Sequence, residues 1–305
     1  MAFNFIEYMK KQRKGGISVP QIKPGDVVTR KSYSGDIFFK VVKIKHGGKK
    51  ETAVLKGMDV RLLADAPVSD LELKDATDIF KFRHNCIQRN MDYMKKIHSE
   101  RSEMREKRLL RGGQNGDEFY EIPGKVLHLD GDEEYLVKCL ATYKQVDVDA
   151  VGFTIDEEEQ PQKVVSLLKE YKPDILILTG HDAFIKGAED FSKIDNYRNS
   201  RYFVEGVSKA RQYEPSKDQL VIFAGACQSH YEALIEAGAN FASSPQRIFI
   251  HAYDPVFLVQ KISYAPIYQR LSLKDLISNT ITGKDGVGGI ETKGCFRLGF
   301  PKSPY

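Results

Sequence analysis

The chain has 305 residues, of which 41% are hydrophobic and 29% are charged, and it carries a formal net charge of +4. This length suits about two domains, and the composition is typical of a folded globular protein. No apolar run is long enough to span a membrane, and the first ten residues lack the apolar core of a signal peptide, so we expect a protein that stays inside the cell. The four cysteines are widely spaced without a C-x-x-C motif, which argues against a zinc site and a disulfide framework.

The positive charge is concentrated in one stretch. Residues 95–111 contain seven Lys or Arg and three Glu, which account for the whole excess, and the rest of the chain is balanced. This distribution argues against a general nucleic-acid binder. It favours a helix whose charged face is solvated and carries i,i+4 ion pairs.

The first part of the chain predicts a small β domain. Residues 1–21 are a basic lead-in, and residues 22–66 contain short apolar runs separated by turn residues. We predict strands at 27–30, 37–44, 51–55 and 60–63, with a hairpin turn at 46–49. Short strands joined by tight turns are typical of an SH3-like β-barrel, which serves as a docking module and offers no chemistry here.

Residues 67–117 predict a charged helical linker. The stretch from 69 to 111 contains no Pro or Gly, has apolar residues at helical spacing, and begins with Ser69 and Asp70 as possible N-caps. The Gly-rich residues 112–117 end the helix and mark a domain boundary.

Residues 118–305 predict an α/β domain. Apolar strands at 125–130, 150–155, 173–179, 220–224 and 247–250 alternate with helices near 131–143, 161–171, 201–213 and 229–237, and helices at 256–264 and 272–281 follow. This alternation indicates a parallel sheet with helices on both faces. The Gly-rich residues 283–289 follow a helix and lack the G-K-[ST] ending of a phosphate loop, so we predict a flexible loop there.

Cys227 is the candidate nucleophile. It follows an apolar strand that breaks at Gly225, and an amphipathic helix begins just after it. Open α/β sheets build their sites at the carboxyl ends of their strands. A helix N-terminus there lowers the pKa of a thiol and supplies backbone N–H groups for an oxyanion.

His181 is the candidate base. It follows the strand 173–179 and precedes Cys227 by 46 residues, which leaves room for one crossover helix between neighbouring parallel strands. The two side chains would then meet above one sheet edge, as in caspases. Taken singly, Cys227 would be a small buried hydrophobe and His181 a loop residue, but the pair favours catalysis. His230 and His251 are alternative bases, and His251 ranks below His181 because it opens a loop only 24 residues after Cys227.

Four motifs stand out, Thr179–Ala183, Tyr197–Ser200, Ala224–Ser229 and Gly238–Pro245, with further segments at Lys23–Val28 and Leu55–Leu62. Together they resemble the YabG family of sporulation-specific proteases of endospore-forming Firmicutes, and the likeness covers nearly the whole chain. The resemblance implies an endopeptidase of the mother cell or forming spore, also associated with the coat. It would trim coat and cortex-related proteins after basic residues, process itself, and use His181 and Cys227 as its dyad without metal or cofactor.

The two strand-end motifs also look like the wider caspase, legumain and clostripain group. In that group Gly usually follows the His and its N–H holds the oxyanion, whereas here Gly180 precedes His181 and Asp182 follows it. The N–H of Asp182 serves only if its carboxylate turns away, so the N–H of Cys227 is the preferred oxyanion donor. Gly225 contributes its backbone to the same turn, next to the predicted oxyanion site.

A preference for Arg or Lys requires a carboxylate in the specificity pocket. Asp254 is the first candidate and Asp182 the next, although Asp254 also fits a turn before Pro255. Self-cleavage at Arg105, Arg108 or Arg111, beside the Gly-rich boundary, would separate the β domain from the catalytic domain.

Two other functions fit the same residues. A glutamine amidotransferase-like hydrolase also places Cys on a strand–helix turn, but it takes its His from much later in the chain. An SH3-like adaptor of the spore coat, binding through the basic helix, needs no nucleophile at all.

Overall fold

The protein is described by a computed structural model over residues 21–46, 51–112 and 119–303. The lead-in 1–20, the tip of the turn predicted at 46–49 and residues 113–118 of the predicted boundary lie outside these ranges. Within them the chain forms two compact units: the first contains residues up to Lys56 and Ala64–Ile79, and the second contains Gly57–Leu63 and residues from Phe80 onward. None of the described helices combines the length and the apolar character needed to cross a membrane.

The first unit is a five-stranded sheet with the order β4-β3-β2-β1-β5. Its strands are β1 (Val27–Arg30), β2 (Phe39–Lys45), β3 (Thr52–Gly57), β4 (Leu63–Pro67) and β5 (Leu71–Leu73). Phe39 and Val41 are buried while Lys40 between them is exposed, the period of two expected of a sheet with one covered face. The SH3-like closure of this sheet stays a prediction.

The strand predicted at 60–63 is displaced. Residues between Gly57 and Leu62 form a tight loop, closed by a hydrogen bond of 2.8 Å from the Gly57 N–H to the Leu62 carbonyl. Strand β4 therefore begins only at Leu63.

Helix α1 (Ala76–Gly112) begins later than predicted. Ser69 and Asp70 lie in a short 3-10 turn before β5, and Asp75 caps the helix by accepting the Asp78 N–H at 2.8 Å.

The later half of α1 belongs to the second unit and packs against other elements of that unit. Ile97 is buried, Tyr93 stacks on Phe257 at 5.1 Å, and Arg101 donates to the Val146 carbonyl and to Asp147. The charged helix thus has one docked face. The helix also carries an i,i+4 ion pair between Lys96 and Glu100.

The second unit is built on a six-stranded sheet with the order β13-β11-β10-β9-β7-β8, and β13 is antiparallel to its neighbour β11. Its strands are β7 (Val126–Asp130), β8 (Ala150–Thr154), β9 (Ile175–Thr179), β10 (Val221–Ala224), β11 (Phe241–Ser243) and β13 (Val287–Gly289). Two small ribbons complete the strands, β6 (Tyr120–Ile122) with β15 (Arg297–Gly299), and β12 (Arg270–Leu271) with β14 (Thr292–Lys293). The helices are α2 (Glu133–Gln145), α3 (Gln160–Tyr171), α4 (Ser200–Tyr213), α5 (Tyr231–Glu236), α6 (Asp254–Tyr264) and α7 (Leu273–Ile277).

Both faces of this sheet are covered, as predicted. Ile175 and Ile177 of β9 belong to the hydrophobic core that includes residues of α1, α2 and α6. Leu176 and Leu178 belong to the core that includes residues of α3, α4 and α5. Successive residues of a strand point to opposite faces, which is why a strand covered on both sides is apolar throughout.

The strand predicted at 247–250 is wrong. Arg247 adopts a left-handed conformation (φ 56°), as does Ser244 (φ 59°), so the segment cannot remain extended. The position beside β10 is taken instead by β11, and β13 forms the edge of the sheet next to it. Later in the chain, α6 starts earlier than predicted and has Pro255 in its first turn. Helix α7 is shorter than the predicted helix 272–281.

Candidate active site

The two candidate catalytic residues leave the same edge of the sheet. Strands β9 and β10 are parallel neighbours, and Leu178 is paired with Ala224. His181 follows three positions after Leu178, and Cys227 three positions after Ala224. The predicted adjacency of the two strands is thus confirmed.

The backbone around Cys227 turns sharply. Gly225 has φ +102° and donates its N–H to the Leu178 carbonyl at 2.9 Å. Gln228 is also left-handed (φ 57°), and Ser229 Oγ accepts the Ala226 N–H at 2.8 Å. Since its N–H is used in the sheet, Gly225 contributes to the site through its conformation, which L-residues seldom adopt.

The Cys227 thiol is buried. Its Sγ accepts the Ile250 N–H at 3.3 Å and lies 3.9 Å from the Ile250 carbonyl oxygen. Burial raises the pKa of the thiol to about 12, against the Ile250 hydrogen bond and the Arg61 charge, which lower it. The thiol is therefore protonated at neutral pH in this conformation.

Two carboxylates that the sequence analysis missed lie beside the His181 ring. Nε2 is 3.4 Å from Asp132 Oδ2, and Nδ1 is 3.8 Å from Glu157 Oε1. The His181 N–H also donates to Glu157 Oε1 at 2.6 Å. A Cβ at Gly131 or Gly180 would lie 2.2 or 2.3 Å from that oxygen, so both positions must be glycine for Glu157 to reach His181.

Tyr135 packs against His181 and is close enough to Cys227 for the two groups to interact electrostatically. Its ring centroid is 5.8 Å from that of His181. Its hydroxyl is 2.7 Å from the carbonyl oxygens of both Gly57 and Val60. Burial raises the pKa of Tyr135 well above its usual range, and the nearby Cys227 thiolate would raise it further.

The Asp182 carboxylate is turned inward. Its Oδ1 accepts the N–H groups of Ala183 (2.9 Å) and Asn199 (2.8 Å), and its Oδ2 accepts the hydroxyls of Ser200 (2.5 Å) and Ser229 (2.8 Å). Burial raises the pKa of this group despite the four donors. The carboxylate thereby joins the loop after His181 to the loop after Cys227.

The backbone N–H groups of Asp182 and Cys227 remain available. Among the hydrogen bonds of the described residues, neither group donates one. Both belong to the loops that follow β9 and β10.

The alternative bases are committed to backbone partners. His230 caps α5 by accepting the Ala233 N–H, and its Nε2 is 2.9 Å from the Ser192 carbonyl oxygen. His251 accepts the Tyr253 N–H, and burial lowers its pKa to about 3.

Asp254 is fully buried. Its carboxylate accepts the N–H groups of Ile281 (2.6 Å), Thr282 (3.2 Å) and His251 (3.1 Å) and the Thr282 hydroxyl. Burial raises its pKa to about 6, which the hydrogen bonds oppose. In this conformation the carboxylate holds loops together and does not face solvent.

A buried polar network underlies the site. Arg61 donates to Asp130 Oδ2 at 2.6 Å, the Thr179 hydroxyl donates to the same oxygen at 2.9 Å, and His128 Nε2 is 2.7 Å from that hydroxyl. The described residues include no group of three His, Cys, Asp or Glu suited to a metal ion.

Comparison with known proteins gives the chain a family. The sequence model of the family described as YabG peptidase U57 matches residues 23–301. The chain is 43% identical over 285 residues to the sporulation-specific protease YabG of Bacillus subtilis (strain 168), covering 92% of this chain and 98% of the relative. The chain belongs to the YabG peptidase family and is a hydrolase of peptide bonds.

Proposed function

We propose that this protein is a cysteine endopeptidase of sporulation that cleaves spore coat and cortex-related proteins after Arg or Lys, with Cys227 as nucleophile and His181 as base. It acts in the mother cell or the forming spore, and needs no cofactor. The observation that carries the proposal is that β9 and β10 are parallel neighbours and end together in His181 and Cys227. Family membership supports peptide-bond hydrolysis and decides against the amidotransferase and adaptor alternatives.

The mechanism follows from the protonated thiol. Burial keeps the Cys227 thiol protonated in the resting conformation, so its proton passes to His181 as sulfur attacks the scissile carbonyl carbon. A C–S bond forms, and the C–N bond breaks as His181 returns the proton to the amine. Water then hydrolyses the thioester and regenerates the thiol.

The oxyanion is held by backbone donors. The N–H groups of Cys227 and Asp182 are the candidates, since no described hydrogen bond uses them and the Asp182 carboxylate is bound elsewhere. Asp132 and Glu157 are the groups that orient the His181 ring and stabilise its protonated form.

Substrate access requires a rearrangement. Cys227 is 0% exposed in the resting structure, and its Sγ is hydrogen bonded to the Ile250 backbone. A peptide carbonyl reaches the sulfur only after neighbouring residues move aside. We therefore expect substrate binding itself to open the site.

Asp254 stays the predicted specificity carboxylate. To bind a substrate Arg or Lys, it must exchange intrachain donors, such as the Ile281 and Thr282 N–H groups, for the substrate cation. If Asp254→Ala cleaves after basic residues with unchanged preference, the pocket lies elsewhere. Asp275→Ala, in α7, is the control for a carboxylate outside the site.

The deciding experiment compares wild type, Cys227→Ala, His181→Ala and Cys295→Ala on a denatured protein rich in Arg and Lys, with cut sites read by mass spectrometry. Cys295 is a matched control because it is also a buried free thiol whose pKa burial raises to about 12. We expect cuts after basic residues with wild type and Cys295→Ala alone. Equal cutting by Cys227→Ala would refute the proposed nucleophile.

A further inference from the structure

A seven-residue segment of the chain crosses into the second unit. Gly57–Leu63 belongs to that unit, although the residues before and after it belong to the first. The segment pairs with residues 250–252: the Arg61 N–H donates to the Ile250 carbonyl at 3.1 Å, and the Ala252 N–H donates to the Asp59 carbonyl at 3.0 Å. It is therefore built into the α/β unit by backbone hydrogen bonds.

Arg61 is the buried side chain of this segment. It is 0% exposed, and its guanidinium reaches Asp130 Oδ2 at 2.6 Å and the Ala252 carbonyl at 3.5 Å. Its Nε has no hydrogen-bond partner among the described residues. A buried ion pair contributes little net stability because both charges lose their hydration, so stability alone does not explain this arginine.

Only one residue separates the segment from each proposed catalytic side chain. Ile250 accepts the Arg61 N–H through its carbonyl and donates its own N–H to Cys227 Sγ at 3.3 Å. Tyr135 packs its ring against His181, and its hydroxyl is 2.7 Å from the Val60 carbonyl oxygen.

We propose that Arg61 is a positioning residue of the active site: it fixes residues 250–252 against the Cys227 thiol and places a permanent positive charge near the nucleophile. The inference rests on the proposed role of Cys227. Arg61 holds residues 250–252 at two points, through its backbone N–H to the Ile250 carbonyl and through its guanidinium to the Ala252 carbonyl.

The charges around Cys227 agree with this role. Of the groups that act on the thiol, Asp182 and Asp254 disfavour its ionised form and Arg61 favours it. Tyr135 also interacts electrostatically with the thiol and is itself neutral, since burial raises its pKa. Arg61 is thus the permanent cation in this set, against two carboxyl groups.

The test measures kcat and KM separately on a peptide taken from the wild-type cut sites. Arg61→Met removes both the charge and the guanidinium hydrogen bonds to Asp130 and Ala252, whereas Arg61→Lys keeps only the charge. The double variant Arg61→Met with Asp130→Asn avoids leaving a buried carboxylate unpaired. Arg101→Met is the control, because Arg101 pairs with Asp147 on the outside of the same unit. Circular dichroism and thermal unfolding give the folded fraction of each variant.

We expect both Met variants to lose about tenfold or more in kcat per folded molecule, with KM within about twofold. Arg61→Lys should retain more kcat than either Met variant, because it keeps a positive charge that stabilises the sulfur as its proton leaves. Wild-type kcat in a folded Arg61→Met variant would overturn the proposal, and so would an Arg61→Lys variant as impaired as Arg61→Met. If Cys227→Ala still cleaves the peptide, the proposed function fails independently of Arg61.

Discussion

Ser229→Ala should uncouple the two strand-end loops of the active site. Ser229 is fully buried, and its hydroxyl donates to Asp182 Oδ2 at 2.8 Å and accepts the Ala226 N–H at 2.8 Å. Losing a hydrogen bond to a carboxylate costs about 1.5–3 kcal/mol, and leaving a buried N–H without an acceptor costs about 1–3 kcal/mol. Because such terms are not strictly additive, we expect a net loss of about 3–5 kcal/mol, with a fall in kcat of about tenfold to 100-fold.

The assay is urea unfolding followed by a tertiary-structure signal, together with steady-state kinetics. Ser192→Ala is the matched control: its hydroxyl also donates to an aspartate, Asp190 Oδ1 at 2.6 Å, but at an exposed position. There we expect a change within about 0.5 kcal/mol. A Ser229→Ala protein that unfolds like wild type and retains full kcat would show that Ser229 does not link Asp182 to the loop after Cys227.

Three further predictions concern the site and the chain around it. Glu157→Gln should lower kcat about tenfold with little change in KM, because His181 loses a carboxylate near Nδ1; unchanged kinetics would remove Glu157 from the mechanism. The folded-state pKa of Asp254, about 6, is above its ordinary value of 3.8, so its contribution to stability is complete below about pH 3.8 and is lost as the pH rises through about 6. The free energy of unfolding should accordingly fall more steeply between pH 4 and 6 in wild type than in Asp254→Asn, and equal slopes would contradict the raised pKa. Cleavage at a specific protease site inserted at 113–118 should yield two fragments that co-elute without denaturant. The reason is that Tyr93, Ile97 and Arg101 of α1 pack within the second unit. Fragments that separate would support the predicted release of the β domain.

Local patterns were enough to predict the four strands β7 to β10 and the sheet edge that carries His181 and Cys227. The apolar runs that became β9 and β10 are buried on both faces, so each residue had to be apolar whichever way it pointed. The same strand-end rule, applied to β7 and β8, would have found Asp132 and Glu157, since each follows its strand by two or three positions.

Other features have no local signal. Ser244 and Arg247 occupy left-handed conformations that their residue types do not favour, and the apolar run after them is a loop instead of the predicted strand. Arg61 lies in a stretch whose neighbours form the first unit, and its partners Asp130 and Ala252 are far along the chain. Long-range pairing of this kind is decided by the tertiary fold, so periodicity and propensity do not reveal it.

The pairing of Arg61 with Ile250 can form only late in the synthesis of the chain. The two residues are 189 positions apart, and a contact over that distance forms only after the intervening chain exists. At about 5–20 residues per second, the ribosome adds Ile250 roughly 10–40 s after Arg61. Until Ile250 has been added, the nascent chain lacks the backbone N–H that donates to Cys227 Sγ, so the proposed site is still incomplete at that stage of translation.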